Sequence, residues 1–473
     1  MVTNNPSAPY FDEVANQWDS LRSGYFSEAV RESAIQKAYL HPEMTVADVG
    51  AGTGFVSAGL AGLVRHVHVL DGSARMLDVA QKNLSGFQNL TFQQADGLLL
   101  PLQDGSVDAA FANMYLHHCP NPLASIREMA RIIRPGGRIV ITDMDEHNQE
   151  WLKTEMADVW MGFKRDQILK WFEQAGLVNV IVDCTGQSCQ ASCQSVSGEH
   201  ADISIFVATG TKKIDRRDSV QSNYAARALG AEGCCDPAQG DGSTGCCSPG
   251  LITLDEVGSV TWDSGYSSAE KGEIPEEAAQ ISLGCGNPTA MANLRPGEIV
   301  LDIGSGGGID AFLAAKRVGP TGLVYGIDMT PAMLQRARKA AKKGGYTNIK
   351  FRHGYAEKLP VEDASIDVII SNCVINLTED KGRVFREAYR ALKTGGRLEV
   401  NDMVFGGAIP LTLRDSIGGW SECISGALPE GEYVDLVRQA GFTDVTVRRS
   451  TSSGVSAGVP VYSVQLSARK PTA

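Results

Sequence analysis

The chain has 473 residues, with 55 Asp and Glu against 43 Lys and Arg and a formal net charge of -12. Because domains typically contain about 100 to 200 residues, this length exceeds one ordinary domain. The acidic balance excludes the electrostatic footprint of a nucleic-acid or anionic-membrane binder. No apolar run approaches the roughly 18 residues of a membrane span, and the first residues lack the regions of a signal peptide. We therefore expect a cytoplasmic protein with no nucleic-acid or membrane partner.

Two segments of the chain repeat one pattern. DVGAGTG at 48–54 aligns with DIGSGGG at 302–308. Later motifs match in the same order; for example, REMARIIRPGGRIVITDM aligns with REAYRALKTGGRLEVNDM. The distance between the copies far exceeds the period of about 20 to 50 residues of a solenoid. The sequence therefore predicts one domain plan that is used twice.

Each copy alternates short apolar or β-branched runs with helical stretches. The runs are VADVG, HVHVLD, VDAAFAN and RIVITD in the first copy and IVLDIG, LVYGID, IDVIISN and RLEVND in the second. This alternation predicts a mostly parallel sheet with helices on both faces. We expect two tandem, doubly wound α/β domains of Rossmann-like type at residues 1–213 and 263–473. A linker at 214–262 joins them, and its second part is rich in Gly, Asp, Ser and Pro.

A glycine-rich turn follows the first strand of each copy. The pattern is Asp-x-Gly-x-Gly-x-Gly, beginning at Asp48 and Asp302, and a second acid, Asp71 or Asp328, ends the next strand. Bare backbone at the carboxyl end of a strand lets a ligand approach closely, and the second acid can hold ribose hydroxyls. A dinucleotide site needs Gly-x-Gly-x-x-Gly, and here the third glycine comes one residue early. The pattern favours a cofactor without a pyrophosphate; two glycine turns in unrelated α/β domains are the alternative.

Eleven cysteines are clustered in a way that does not suggest a disulfide-stapled secreted scaffold. In the second copy, Cys285 precedes the first strand, Cys373 ends the fourth and Cys423 follows the fifth. All three positions converge on the carboxyl edge of the predicted sheet. Three thiols beside a cofactor turn favour a soft acceptor. Without further context, such cysteines are more often small buried core residues.

On the glycine and acid motifs, both copies resemble the class I S-adenosylmethionine-dependent methyltransferases. The resemblance implies S-adenosylmethionine as the cofactor. Tyr355 stands where the first copy has Asp96 beside the adenine, so the contact shifts to the next two residues. The implied cofactor-binding residues are Asp48, Gly50, Gly52, Gly54, Asp71 and Asp96 in the first copy, and Asp302, Gly304, Gly306, Gly308, Asp328, Met329, Ala356, Glu357 and Asn372 in the second.

The second half closely resembles arsenite methyltransferases. LGCGNPTA, LDIGSGGGIDAFLAA, IDMTPAML, GYAEKLPVED, SNCVINL and WSECISGAL occur in the family's order between 282 and 447. The resemblance implies methyl transfer to trivalent arsenic bound by Cys285, Cys373 and Cys423, a detoxification reaction. It also implies arsenite or its thiol conjugates as substrate and thioredoxin or glutathione as reductant. Leu283 stands where some branches carry an aromatic residue.

The linker carries paired cysteines at Cys234, Cys235, Cys246 and Cys247. By the same resemblance they capture arsenic or relay disulfides. A zinc site is the other reading, but the pairs lack the two-residue gap of a Cys-x-x-Cys knuckle and no histidine is near. A linker with incidental thiols is a third reading. No metal site is predicted in the chain.

The first copy has none of the three cysteines at matching positions. Its own candidates follow the fourth and fifth strands: Asn113, Tyr115, His117, His118, Asp143, Asp145, Glu146 and His147. Either histidine is a candidate general base, whereas a structural turn is the simpler interpretation of His118. Cys184, Cys189 and Cys193 lie within ten residues of one another and suggest a port for a soft ion or a related arsenical. A methyltransferase domain with an unrelated acceptor is the alternative.

Together these features predict an enzyme, an S-adenosylmethionine-dependent arsenite methyltransferase. Two other functions remain open at this point. The first copy alone suggests a small-molecule C- or O-methyltransferase. The cysteine content also fits a non-catalytic, thiol-rich protein that binds arsenic or heavy metals.

Overall fold

The structure is a computed structural model. It describes residues 7–192, 200–215, 217–228, 266–267, 270, 272, 274–275, 286–409, 424, 426–456 and 458–472. The chain divides into two compact units, Met1–Ile214 and Asp215–Ala473. None of the described helices is long and apolar enough to cross a membrane.

The first unit is built on a seven-stranded sheet in the order β3-β2-β1-β4-β5-β7-β6. Its strands are β1 (Thr45–Val49), β2 (His66–Asp71), β3 (Leu90–Gln94), β4 (Val107–Asn113), β5 (Ile133–Met144), β6 (Leu177–Ser192) and β7 (His200–Lys212). The first five are parallel, and β7 runs antiparallel to both β5 and β6. The strand order reverses between β1 and β4, which is where open α/β sheets bind ligands.

Helices cover the sheet of the first unit. They are α1 (Ala8–Val14), α2 (Trp18–Tyr25), α3 (Glu28–Ala38), α4 (Phe55–Leu60), α5 (Ala74–Asn83), α6 (Pro122–Ile132), α7 (Leu152–Glu155) and α8 (Arg165–Gln174). Side chains cap several of them: Ser73 accepts a hydrogen bond from the Met76 amide, and Asn121 accepts one from the Ala124 amide ahead of a first-turn proline. A 3₁₀ turn at Leu116–His118 follows β4.

The second unit repeats this plan, in the order β10-β9-β8-β11-β12-β15-β14, with β13 paired to β12. Its strands are β8 (Ile299–Ile303), β9 (Leu323–Asp328), β10 (Ile349–His353), β11 (Ile366–Asn372), β12 (Leu392–Phe405), β13 (Leu428–Pro429), β14 (Thr443–Ser456) and β15 (Val459–Arg469). Its helices are α9 (Arg217–Ala228), α10 (Pro288–Met291), α11 (Ile309–Val318), α12 (Pro331–Lys343), α13 (Lys381–Ala391) and α14 (Glu430–Gln439). The predicted pair of doubly wound α/β domains is confirmed.

Helix α9 lies in the stretch that the sequence assigned to the linker. In the structure it belongs to the second unit and packs against α12. The Arg336 guanidinium on α12 donates a hydrogen bond to the Ala228 carbonyl at 2.9 Å. The linker cysteines at 234, 235, 246 and 247 lie outside the described residues.

We expect the central strands to carry most of the stability of each unit. Phe111 on β4 is 1% exposed, whereas Phe87 is 39% exposed. Phe111→Ala should lower the free energy of unfolding by about 3–5 kcal/mol because it opens a cavity in a packed core. Phe87→Ala is the matched control and should cost far less. Four of the six tryptophans, Trp18, Trp151, Trp160 and Trp171, lie in the first unit, so urea unfolding followed by tryptophan fluorescence reports mainly on that unit.

Candidate functional site

Each glycine turn uses backbone conformations that favour glycine. The φ angles are +69°, +54° and +89° at Gly50, Gly52 and Gly54, and +71°, +50° and +97° at Gly304, Gly306 and Gly308. A side chain at Gly50 would overlap Tyr115, and one at Gly304 would overlap Val374. The turns therefore need glycine both for their φ angles and for close packing.

The acid after the second strand holds the glycine turn in place. Asp71 accepts hydrogen bonds from the amides of Gly52 and Ser73, both at 2.8 Å. Asp328 accepts them from Gly306 at 3.0 Å and Thr330 at 2.7 Å. Burial raises the pKa of both carboxyls, while these amide hydrogen bonds act in the opposite direction.

The pocket of the first unit lies at the carboxyl ends of β1, β2 and β4. Of the predicted cofactor residues, Asp48, Gly50, Gly52, Asp71 and Asp96 line it; Gly54 caps α4 instead. Asn113, Tyr115 and His118 also line it. The sequence interpretation did not single out the larger side chains that complete the lining: Phe11 on α1, Trp18 and Arg22 on α2, Phe26 after α2, and Phe55 on α4.

The pocket of the second unit gathers most of the predicted cofactor residues. Gly308 caps α11 and does not line it. Arg217 and Tyr224 on α9, Tyr266 and Asp310 also line the pocket and were not predicted. The predicted residues that do line it are Asp302, Gly304, Gly306, Asp328, Met329, Ala356, Glu357, Asn372 and Cys373.

Helix α9 forms one wall of this second pocket. The Arg217 guanidinium lies 3.1 Å from Glu357 Oε1 and 3.2 Å from Glu379 Oε2. It also stands 5.1 Å from the centre of the Tyr355 ring. Gln221 donates a hydrogen bond to the Met329 carbonyl at 2.9 Å. These contacts fasten α9 to the edge of the pocket where the adenosine part of the cofactor is predicted.

Two buried carboxyls lie deeper in the same pocket. Asp310 accepts hydrogen bonds from Tyr266 Oη at 2.7 Å and Asn372 Nδ2 at 3.2 Å. Asp302 Oδ2 is buried and has no hydrogen-bond partner among the described residues. Burial raises the pKa of both acids. A cationic ligand, such as the ammonium or sulfonium group of S-adenosylmethionine, gives Asp302 the partner it lacks, so the residues present fit this cofactor.

Cys373 is the one member of the predicted thiol triad that falls within the described residues. It directly follows β11 with φ +55°, its amide donates a hydrogen bond to Asn401 O at 2.8 Å, and its side chain lines the pocket. It is disulfide-bonded, whereas Cys119, Cys184 and Cys189 are free thiols. Cys285, Cys423 and Cys193 lie outside the described residues.

The remaining candidates of the first unit divide into two groups. Asp145 is paired with the Arg165 guanidinium at 2.7 Å, and Glu146 lies 3.6 Å from Lys164, so both have ordinary salt-bridge partners. His117 and Asp143 are buried together, with Nδ1 and Oδ1 2.7 Å apart.

Two family models match the chain, and each describes a methyltransferase domain. One covers residues 47–141 and the other covers residues 294–441. Each half of the chain therefore contains a region that matches a methyltransferase domain. S-adenosylmethionine is the methyl donor of these domains, as predicted from the glycine and acid motifs.

Several relatives are arsenite methyltransferases. An arsenite methyltransferase of Halobacterium salinarum is 38% identical over 234 residues, 49% of this chain and 59% of that protein. An arsenite methyltransferase of Aquipseudomonas alcaligenes is 43% identical over 177 residues, 36% of this chain and 50% of that protein. The chain thus spans about half the length of these curated relatives. A solved structure, an arsenic (III) S-adenosylmethionine methyltransferase from Chlamydomonas reinhardtii, is 37% identical with a TM-score of 0.39, covering 43% of this chain and 72% of that one.

The glycine turn of the second methyltransferase domain provides a test of cofactor binding. Gly304→Ala should weaken S-adenosylmethionine binding in that domain more than tenfold, because the new methyl group overlaps Val374 and displaces the turn. Gly319→Ala is the control: Gly319 has a similar φ of +67°, but nothing lies within 4 Å of the added carbon. Isothermal titration calorimetry on the full chain measures both. Equal affinity in the two variants would contradict the assignment of the turn.

Proposed function

We propose that the C-terminal domain transfers a methyl group from S-adenosylmethionine to trivalent arsenic held by Cys285, Cys373 and Cys423. The observation that carries this proposal is the position of Cys373, which lines the cofactor pocket directly after Asn372. The 38–43% identity to arsenite methyltransferases supports the choice of acceptor. Methylated arsenicals are the products, and the role is arsenic detoxification.

Thiolates suit this acceptor for a physical reason. Trivalent arsenic is soft and pyramidal, so three thiolates fill its coordination sites and leave its lone pair free. When bound, S-adenosylmethionine supplies an electrophilic methyl group to that lone pair and leaves as S-adenosylhomocysteine. The protein then has to hold arsenic in line with the methyl group. Cys373 has a fixed backbone for this task, because its amide is bonded to β12 through Asn401 O.

The reaction also needs electrons. Methyl transfer formally oxidises arsenic from the trivalent to the pentavalent state, and two thiolates that close to a disulfide return the two electrons. The disulfide of Cys373 supports this role for a site cysteine. Thioredoxin or glutathione then resets the thiols, which fits a reducing, cytoplasmic setting. The linker cysteines 234, 235, 246 and 247 capture arsenic or relay these disulfides.

Replacing the described cysteine tests the acceptor site. Cys373→Ser should abolish arsenic methylation while it leaves S-adenosylmethionine binding nearly unchanged, because it removes an acceptor ligand and leaves the glycine turn intact. Purified full-length protein is incubated with arsenite, S-adenosylmethionine and a thiol reductant, and arsenic species are separated and quantified. Cys119→Ser, a free thiol of the first domain, is the control.

The same assay distinguishes the alternatives. Absence of methylated arsenic in the wild type would reject the proposal. Tight arsenite binding without turnover would favour a thiol-rich scavenger, and methylation of small organic acceptors alone would favour a C- or O-methyltransferase.

A matched pair of glycine variants tests which domain performs the chemistry. Gly306 and Gly52 occupy equivalent positions with φ of +50° and +54°. Valine at either position is strained and should block its own cofactor site. Gly306→Val should therefore silence arsenic methylation, and Gly52→Val should not. Equal loss in both variants, measured as initial rates of methylated product, would show that the two domains share one catalytic cycle.

A further inference from the structure

Three ionisable side chains of the first domain meet beside its cofactor pocket, and the function proposed above does not use them. His117 and His118 lie on the 3₁₀ turn after β4, and Asp158 lies on the segment between α7 and α8. His117 Nε2 and His118 Nδ1 are each 3.8 Å from Asp158 Oδ1. The three side chains are only 5%, 8% and 3% exposed. Among the described residues, these are the three His, Cys, Asp or Glu side chains whose possible metal-ligand atoms all lie within 4.8 Å of one another.

A neighbouring acid fixes the orientation of the first histidine. His117 Nδ1 lies 2.7 Å from Asp143 Oδ1, and Asp143 is itself held by the Met144 amide at 2.8 Å. In the neutral tautomer that donates its Nδ1 proton to this carboxylate, the Nε2 lone pair points toward Asp158, and metal binding requires that tautomer. A carboxylate behind a histidine in this manner is the usual second shell of a metal-bound imidazole.

Asp158 supplies an independent observation. Its Oδ2 atom is buried and has no hydrogen-bond partner among the described residues. Burying an unpartnered carboxylate oxygen is costly, and a bound cation is one of the few ways to satisfy it. His118 Nδ1 also lies 3.3 Å from Ala157 O. Metal binding requires the tautomer of His118 with its proton on Nε2.

We propose that His117 Nε2, His118 Nδ1 and Asp158 bind one divalent transition metal ion of the zinc type. Tetrahedral zinc with bonds of about 2.0 Å places its ligand atoms about 3.3 Å apart. The observed 3.8 Å contacts therefore need to close by only a few tenths of an ångström. The chemistry of the set, two imidazoles and one carboxylate, suits zinc or cobalt better than magnesium or calcium. This site departs from the sequence-based expectation that no metal is bound.

The placement of the site indicates its use. His118 lines the cofactor pocket beside Asn113 and Met114. Three protein ligands leave a fourth position open, as in catalytic rather than structural zinc sites. A metal ion at the edge of a methyl-donor pocket can bind an acceptor oxygen or nitrogen and lower the pKa of its proton. The first domain thus takes a hard or borderline acceptor, in contrast to the soft acceptor proposed for the second.

The second domain serves as an internal comparison. Its matching turn carries Asn376 and Leu377 in place of the two histidines. The Asn376 amide donates to Asp402 Oδ2 at 3.1 Å, and its side chain donates to Met403 O at 2.7 Å. Neither residue is a metal ligand, so the inference applies to the first domain alone.

The test is Co²⁺ binding by the full-length protein after removal of metals by chelation. We expect the wild type to bind one Co²⁺ more than Asp158→Asn, or to bind it at least tenfold more tightly at one site, by equilibrium dialysis with elemental analysis. Asp166→Asn on α8, whose partner is Lys170 at 3.2 Å, is the control and should match the wild type. Equal stoichiometry and affinity in wild type and Asp158→Asn would overturn the proposal, and would leave a buried His117–Asp143–Asp158 ion network in its place.

The cysteines of the chain also bind Co²⁺, and the spectrum separates the two kinds of site. Nitrogen and oxygen ligation gives visible d–d bands without the sulfur-to-metal charge-transfer bands of thiolate ligation. We expect the difference spectrum between wild type and His118→Gln to contain d–d bands only. This measurement also serves if Asp158→Asn does not fold. Charge-transfer bands alone in the wild type, or a difference spectrum without d–d bands, would contradict the site.

Discussion

The hydrogen bond from a glycine-turn amide to the acid that ends the neighbouring strand is the constraint on which both halves depend. In the first domain the Gly52 amide donates to Asp71, and in the second the Gly306 amide donates to Asp328. This bond joins the first two strands of each sheet at their carboxyl ends. It lies at the middle of the three glycines that have positive φ in each turn. No side chain fits at Gly50 or Gly304, and the amides of both residues donate hydrogen bonds to the neighbouring strand, so the turn presents bare, fixed backbone to the pocket. The cofactor pocket follows from this one local arrangement.

The two domains keep this arrangement and differ at the end of the fourth strand. Met114 and Cys373 occupy the same position, and both have the same unusual backbone, with φ of +49° and +55°. The side chain after the asparagine that both copies share, Asn113 or Asn372, is thus presented to the pocket in the same way in each domain. A methionine thioether in one domain and a cysteine sulfur in the other occupy the same backbone geometry. The two domains thus differ in side-chain chemistry at this position without a difference in fold.

The two α/β domains and their cofactor turns could be predicted from the sequence because the motifs that define them lie within short stretches of the chain. The glycine turns, Asp71 and Asp328 are adjacent to strand-forming runs, and the repeat aligned one copy with the other. What escaped prediction depends on contacts between distant segments. Tyr266 reaches Asp310 across 44 residues, and Arg217 reaches Glu357 across 140. Helix α9 was assigned to a linker because it lies between the two matching copies, and its packing on α12 reveals its place.

The acid at the end of the fifth strand shows how an inherited position acquires different partners. Asp143 and Asp402 are both fully buried, and a buried carboxylate must be neutralised or hydrogen-bonded. Asp402 accepts a hydrogen bond from Tyr433 Oη at 2.9 Å, and burial raises its pKa to about 7 even with the nearby Lys381 ammonium opposing that change. Asp143 instead holds the imidazole of His117, which turns its other nitrogen toward Asp158. The same requirement, to satisfy one buried acid, is met in the second domain by Tyr433 and Lys381 and in the first by a histidine whose second ring nitrogen faces another acid, Asp158. The fold places a buried acid at the end of the fifth strand in both domains. The side chain that pairs with this acid determines whether a ligand-binding group lies next to it.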